Sequence, residues 1–234
     1  MKISTPLIVG AVLIAGSIYI VSARTDTPKG AQKEEPTPVV LEEKAPAAKE
    51  EISGSGTFAL DTAASVLHWV GRKPAFIDYL DRGTVDLSSG ELTLKDGTVT
   101  AGTFTIDFTT IAVDSTGKNA GETMLAAHLK SKDFFEVETY PTGTFTLDSI
   151  KKIEGEMLYE VTGNLTVKGI TRQVTFPATI YKQGNALRAQ AQTQLDRSKW
   201  NIKYNSGSFF KNLGEKIIDD QFLLTLDLVA LAEN

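Results

Sequence analysis

The residues able to do chemistry in this chain of 234 amino acids are few. There are two histidines, His68 and His128, and no cysteine. That removes thiolate nucleophiles, disulfides, iron-sulfur clusters and Cys/His zinc sites together, so metal chemistry would have to be carboxylate-based. His128 stands in "AAHLKSKDFFEVETYPTGTFTLD", residues 126–148, with Asp133, Glu136 and Glu138 close behind it. A histidine hydrogen-bonded to one of these carboxylates is an acid-base pair, the minimum for a hydrolytic enzyme acting on an exported substrate. Asp219 and Asp220 are a second carboxylate pair. Neighbouring side chains on a strand point to opposite faces, which makes them poor partners. No metal and no cofactor is expected.

The elements that must position these groups weaken the catalytic reading. In "NAGETMLAAHLKSKDFF", Met124, Leu125, His128 and Leu129 fall at i, i+1, i+4 and i+5, on one stripe of a short helix. A single helix packed over the end of a barrel would have this spacing, and His128 then reads as a partly buried packing residue. His68, in "SVLHWVG", points opposite Leu67 and Trp69 on a strand and reads as a solvent-side position.

From Phe58 to residue 232 the pattern has period two. "GTFTIDFTTI" sets Phe104, Ile106 and Phe108 against Thr103, Thr105 and Asp107, the alternation of a half-buried strand. "LYEVTGNLTVKGITRQVTFPATIY" repeats it on both sides of a Lys168-Gly169 turn, with Tyr159, Val161, Leu165 and Val167 on one arm and Val174, Phe176, Ala178 and Ile180 on the other. Further strands are expected over 64–72, 79–88, 91–101 running on into 108, 143–150, 186–195 and 220–231. Turns are expected at Ser89-Gly90, Asp96-Gly97, Gly184-Asn185 and Ser206-Gly207. About eight long antiparallel strands without alternating helices argue for an all-β closed barrel or a sandwich, and the barrel is the favoured reading. Barrels of that size have an interior just wide enough to be filled by side chains or to hold one small ligand. The inward positions mix Phe104, Phe108, Phe145, Phe176 and Phe222 with Ala178, Ala189 and Ala191, which is compatible with a cavity. The alternate face is rich in threonine and lysine, whereas an outer-membrane barrel is apolar outside.

Alternation names the residues that would meet a ligand: Leu67, Trp69, Val85, Leu87, Phe104, Ile106, Phe108, Phe145, Leu147, Tyr159, Val161, Val174, Phe176, Leu187, Phe222, Leu224 and Leu226. Most of them would be apolar in a solidly packed barrel too. A packed barrel acting as an interaction module is therefore the competing reading. Its best surface is "RSKWNIKYNSGSFFK", where Trp200, Tyr204, Phe209 and Phe210 lie among Arg197, Lys199 and Lys203.

The N-terminal part is of another kind. Residues 6–21, "PLIVGAVLIAGSIYIV", are uncharged and apolar; as a helix at ~1.5 Å per residue they span ~24 Å, and the uncharged flanks at 3–5 and 22–23 bring the run to about the length of a ~30 Å hydrocarbon core. Val21, Ser22 and Ala23 also supply the small residues of a signal cleavage site. Residues 1–23 are thus a signal peptide or an N-terminal membrane anchor, and both readings place the rest of the chain outside the cytoplasm, in the periplasm if the cell has two membranes. Residues 24–57, "RTDTPKGAQKEEPTPVVLEEKAPAAKEEISGSGT", hold four of the eight prolines, many Glu and Lys, and no aromatic residue. Such a segment buries too little apolar surface to offset its ordering entropy and is expected to be a disordered linker. The barrel is expected over 58–234. A net charge of -5 and the lack of a basic stripe argue against a nucleic-acid partner.

"HLKSKDFFEVETYPTGTF", "YEVTGNLTVKGITRQVTFPA", "LDRSKWNIKY" and "DDQFLLTLDLVAL" occur in that order, and together they resemble the YceI-like polyisoprenoid-binding family over essentially all of residues 58–232. The resemblance implies a lipocalin-like, eight-stranded antiparallel barrel with an elongated apolar cavity, in an exported, non-enzymatic bacterial protein that holds an isoprenoid lipid or other long apolar ligand. The family's helix and DFF motif map onto His128, Leu129, Lys130, Ser131, Asp133, Phe134 and Phe135, and its DR block onto Asp196 and Arg197. Two features depart from the pattern. Arg82 stands where histidine is expected, and the long N-terminal spacer suggests tethering at a distance from a membrane. Chain burial alone would carry binding of such a ligand: at about 0.3 kcal/mol per heavy atom, a forty-carbon chain contributes roughly 12 kcal/mol, which corresponds to nanomolar affinity.

Overall fold

The computed structural model describes residues 47–76, 79–116, 121–153 and 157–233. The apolar run at 6–21 and most of the spacer lie outside the described residues. Among the described residues, no helix is long and apolar enough to cross a membrane.

The elements follow in the order β1 (Gly56–Leu60), β2 (Val66–Arg72), β3 (Leu80–Lys95), β4 (Thr98–Ser115), α1 (Glu122–Lys130), β5 (Thr142–Lys152), β6 (Leu158–Val167), β7 (Ile170–Gln183), β8 (Ala186–Asp196) and β9 (Gln221–Ala232). Each strand from β3 to β9 pairs antiparallel with the next, and β2 pairs with both β3 and β9. The ring closes on eight staves, which leaves no exposed sheet edge. β1 and β2 share one stave. Phe58 pairs with Leu92 of β3 and Ala232 of β9, while Leu67 pairs with Val85 and Leu226 further along the same two strands. α1 is the single α-helix among the described residues and packs against β4.

Two of the expected turns are two-residue hairpins with both central residues at positive φ. These are Asp96 (49°) with Gly97 (75°), and Lys168 (51°) with Gly169 (69°), the geometry whose twist matches paired strands. Gly184, at φ 64°, opens the turn between β7 and β8. Ser89-Gly90 is not a turn. β3 runs unbroken through it, with irregular register between Leu87 and Ser89, so the small residues mark a bulge in one long strand.

The ends of the barrel differ. At one end lie the Asp96-Gly97 and Gly184-Asn185 turns, the ends of β1, β3 and β9, and residues 47–55, which composition had assigned to the spacer. Here these residues form a strap. Glu50 exchanges two backbone hydrogen bonds with Lys182 (2.9 and 2.8 Å), Gly97 N–H donates to Gly54 O (2.8 Å), and Lys152 Nζ meets Glu51 Oε2 at 2.9 Å. Ile52 is buried and belongs to the same hydrophobic core cluster as Phe58, Leu94, Leu187 and Ala230. One isoleucine suffices to order a short polar segment when it meets a preformed apolar surface, and composition averaged over the segment does not show it. At the other end lie α1 and the long loop 197–220.

Candidate functional site

Inside the barrel is a cavity of about 570 Å³, within the range of ligand pockets. Its floor is the packed end of the barrel, and its mouth is framed by α1, the loop 197–220 and the ends of β2 and β3. Fifteen of the seventeen residues expected to meet a ligand line it: Leu67 and Trp69 on β2, Val85 and Leu87 on β3, Phe104, Ile106 and Phe108 on β4, Phe145 and Leu147 on β5, Val161 on β6, Val174 and Phe176 on β7, and Phe222, Leu224 and Leu226 on β9. Tyr159 and Leu187 do not. Both point inward, but they sit at the first turns of β6 and β8, below the floor. Leu187 is wholly enclosed there, and Tyr159 packs beside the strap, where burial raises its phenol above the ordinary 10.0 while nearby Lys152 pulls it down and Glu51 pushes it up. Alternation reports the face a side chain takes and not its depth along the axis.

The cavity exists although its wall is rich in phenylalanine, and the reason lies in the glycines opposite. A Cβ on Gly163 would fall 2.6 Å from Phe145 Cε2 and 2.7 Å from Thr146 O. On Gly90 it would fall 2.9 Å from Phe104 Cε1, and on Gly143 it would fall 2.7 Å from Phe108 Cζ. The three rings lie flat on bare backbone of the neighbouring strand and line the barrel instead of filling it. Gly83 does the same for Trp69 (2.8 Å to Cζ2), whose indole N–H reaches Thr84 O at 3.3 Å. These glycines are functional residues that strand alternation missed.

The mouth is built from residues far apart in sequence. Leu125, His128 and Leu129 of α1 face the cavity as the helical stripe predicts, whereas Met124, of the same stripe, stands 78% exposed at the rim. His128 is a packing residue with one polar contact. Its ring meets Phe134 (5.0 Å) and Tyr204 (4.7 Å) edge-on, and Nε2 lies 3.1 Å from Asp133 Oδ2. His68 faces outward and is exposed. On β3 it is Asp81 that lines the cavity mouth, while Arg82, one residue on, is exposed on the outer face.

Arg197 of the DR block is buried, and four of its five N–H donors make hydrogen bonds to backbone carbonyls, with an ion pair beside them. Nε donates to Asp219 O (3.0 Å), Nη1 to Ile202 O (3.0 Å) and Tyr204 O (2.9 Å), and Nη2 to Ile218 O (3.1 Å), with Asp220 Oδ1 3.2 Å away. Burial lowers its pKa, while Asp220, Asp196 and Asp219 act to raise it. Asp220 Oδ2 in turn accepts from Ser206 Oγ (2.9 Å) and Ser208 Oγ (2.6 Å). Asp196 accepts from Ser198 N–H at 2.9 Å and starts the turn that carries Trp200 inward. Trp200, expected on an exposed patch, is instead 2% exposed, its indole N–H donating to Leu165 O at 3.1 Å. A ring that large adjoining an open barrel end buries more apolar surface inside than it could on the rim. Arg197 and Trp200 are thus the struts of the cap. Arg72 Nη2 and Asp219 Oδ2, 3.5 Å apart, form an ion pair at the rim.

A closed antiparallel barrel, packed at one end and open at the other onto an apolar cavity, is a lipocalin-like architecture. Residues 58–230 match the YceI-like domain, and the chain belongs to that family. Protein YceI of Escherichia coli O6:H1 is 34% identical over 119 residues, which cover 45% of this chain and 61% of that protein; the chain thus spans about three fifths of the length of this curated relative. BcnA of Burkholderia cenocepacia is 25% identical and superposes with a TM-score of 0.58 over 73% of this chain and 98% of its own. A polyisoprenoid binding domain from Saccharophagus degradans shares the fold at 17% identity, with a TM-score of 0.55 over 75% of this chain and 98% of that one.

Proposed function

We propose that this protein holds a polyisoprenoid or similar long-chain amphiphile inside its barrel, as a non-enzymatic carrier or store. The single observation that carries the reading is the cavity: apolar along its walls, shut at one end and open at the other, so that a long chain enters tail first and leaves its head group at the mouth. The description of the Saccharophagus degradans domain, which has the same fold, supports the choice of an isoprenoid. Each methylene transferred from water to such a wall contributes about 0.8 kcal/mol, so affinity needs no catalytic constellation. His128 and Asp133 at the rim act in packing and in shaping the mouth.

The protein is exported, in this reading, and acts in the periplasm. The N-terminal segment either anchors it in the membrane or is cleaved near Ala23. The test is organic extraction of the purified protein followed by mass spectrometry, with N-terminal sequencing of the mature chain. An isoprenoid in stoichiometric amount is the expected result. A barrel that arrives empty and gains no thermal stability from any long-chain isoprenoid would overturn the proposal.

A further inference from the structure

The large apolar side chains that the fold leaves in water are unevenly placed. Met124 (78% exposed), Phe209 (48%), Phe210 (51%) and Tyr204 (36%) all belong to α1 and the loop 197–220, the two segments that make the cavity mouth. Tyr204 and Met124 themselves line the opening. At the packed end the large apolar side chains exposed among the described residues are isolated aliphatics, Ile153 and Leu231.

Charge follows the same division. In a chain of net charge -5, residues 198–218 of the loop hold Lys199, Lys203, Lys211 and Lys216 against one acid, Glu215. The acids that end the loop are paired, Asp219 with Arg72 at the rim and Asp220 with the buried Arg197. Lys203 Nζ lies 4.6 Å over the Phe209 ring, so cation and aromatic form one surface. Across the mouth, β2 ends in Arg72 with Lys73 after it, the start of β3 places Asp81 beside them, and α1 brings Lys130 and one acid, Glu122. Asp133 sits beside His128, and Glu136 pairs with Lys168 at 3.4 Å. The strap, through which the N-terminal segment joins the barrel, packs at the opposite end and leaves this rim uncovered by it.

We propose that the rim is a bilayer-docking face. The loop 197–220 and α1 seat on an anionic phospholipid surface, Met124, Phe209 and Phe210 entering the boundary between head groups and acyl chains and the lysines meeting phosphate. The inference rests on the proposed ligand for its purpose: a chain crossing water between bilayer and cavity is penalised roughly fourfold in population per exposed methylene, and a mouth pressed to the membrane removes that crossing. The exposed aromatics and the adjoining cations are otherwise unexplained by the barrel's own packing.

The cysteine-free sequence allows a clean test in the full chain. A fluorophore is placed at Thr123→Cys, on the rim, or at Ile153→Cys, at the packed end, and the protein is incorporated in vesicles of phosphatidylglycerol and phosphatidylcholine containing spin-labelled phospholipid. Quenching is expected to be several-fold stronger at position 123 than at 153. It should fall at least roughly 25-fold in the pair Lys203→Glu/Lys211→Glu, because each cation lost from an anionic surface is worth about a factor of five in partition, and it should also fall several-fold in Phe209→Ser/Phe210→Ser. Lys203 is half-buried and the other three positions are exposed; an unchanged melting temperature confirms that each variant is folded. In parallel, the unlabelled chain is offered the long isoprenoid alcohol solanesol from detergent solution and its retention is measured. Equal quenching at both positions, or quenching at 123 that neither pair reduces, overturns the docking face while retained solanesol leaves the ligand reading standing. Asymmetric quenching without solanesol retention does the reverse.

Discussion

Gly163→Ala is the sharpest probe of why the barrel is hollow. Gly163 has ordinary extended backbone, since it is absent from the positions with positive φ, so no conformational strain opposes alanine there. Reduced freedom of the unfolded chain alone would make the substitution stabilising by about 0.4–1 kcal/mol. Sterics oppose this. The new methyl would lie 2.6 Å from Phe145 Cε2 and 2.7 Å from the backbone oxygen of Thr146. The oxygen is held in the sheet, so the ring must leave the wall and swing into the cavity, toward Phe176, whose ring centroid is 5.8 Å away. Overpacking of this kind typically costs about 1–3 kcal/mol, enough to reverse the sign. The expected result is a net loss of stability in urea unfolding, together with a smaller capacity for long chains in competition against a fluorescent lipid probe. Phe145→Ala in the same background removes the ring clash but not the contact with Thr146 O, so it should restore the capacity for long chains and part of the stability, with a coupling of about 0.5–3 kcal/mol in the double-mutant cycle. Additive effects, or a stabilised Gly163→Ala that binds the same chain lengths, would refute the idea that glycines hold the rings against the wall.

Phe176→Ala, at mid-strand on the inner face, should shift the preferred chain length and cost less than the ~3–5 kcal/mol of a packed core when ligand is bound; Thr175→Ala, whose hydroxyl pairs with Thr162 at 3.0 Å on the outer face, should leave chain length unchanged in the same extraction assay. His128→Ala should keep binding within about tenfold and lower stability by ~1 kcal/mol, as for a typical single substitution; loss of binding by a folded variant would make it a site residue. Arg197→Met strands four carbonyls and Asp220, and should cost about 3–5 kcal/mol in thermal melting, a loss Arg197→Lys does not repair because one ammonium cannot serve five acceptors. Burial raises the Tyr159 phenol above 10.0, so the stability it confers is complete below that pH and lost as pH rises through the raised value; Tyr159→Phe should flatten this alkaline decline in a melting-temperature series. Residues 58–234 should fold into a β-rich domain by circular dichroism, but melt below residues 47–234, which retain Ile52 and the strap.

Much of this protein was written locally. Period-two runs such as residues 102–111 and 158–181 determined the strands, Asp96-Gly97 and Lys168-Gly169 determined two of the hairpins, and fifteen inward residues followed from alternation alone, because the face a side chain takes depends on its nearest neighbours in the chain. The stripe of Leu125, His128 and Leu129 likewise located the lid helix. What alternation cannot encode is where along the axis an inward residue sits, so Tyr159 and Leu187 were assigned to a cavity that ends above them. It also cannot say whether a phenylalanine fills a barrel or lines it. That was decided by register, which sets Phe104 against Gly90 and Phe145 beside Gly163 across strand pairs separated by more than a dozen residues. The burial of Trp200, the anchoring of Arg197 to four backbone carbonyls and the docking of Ile52 at the closed end are of the same kind. Each depends on a surface that exists only once the barrel has closed, and so only the tertiary structure could decide it.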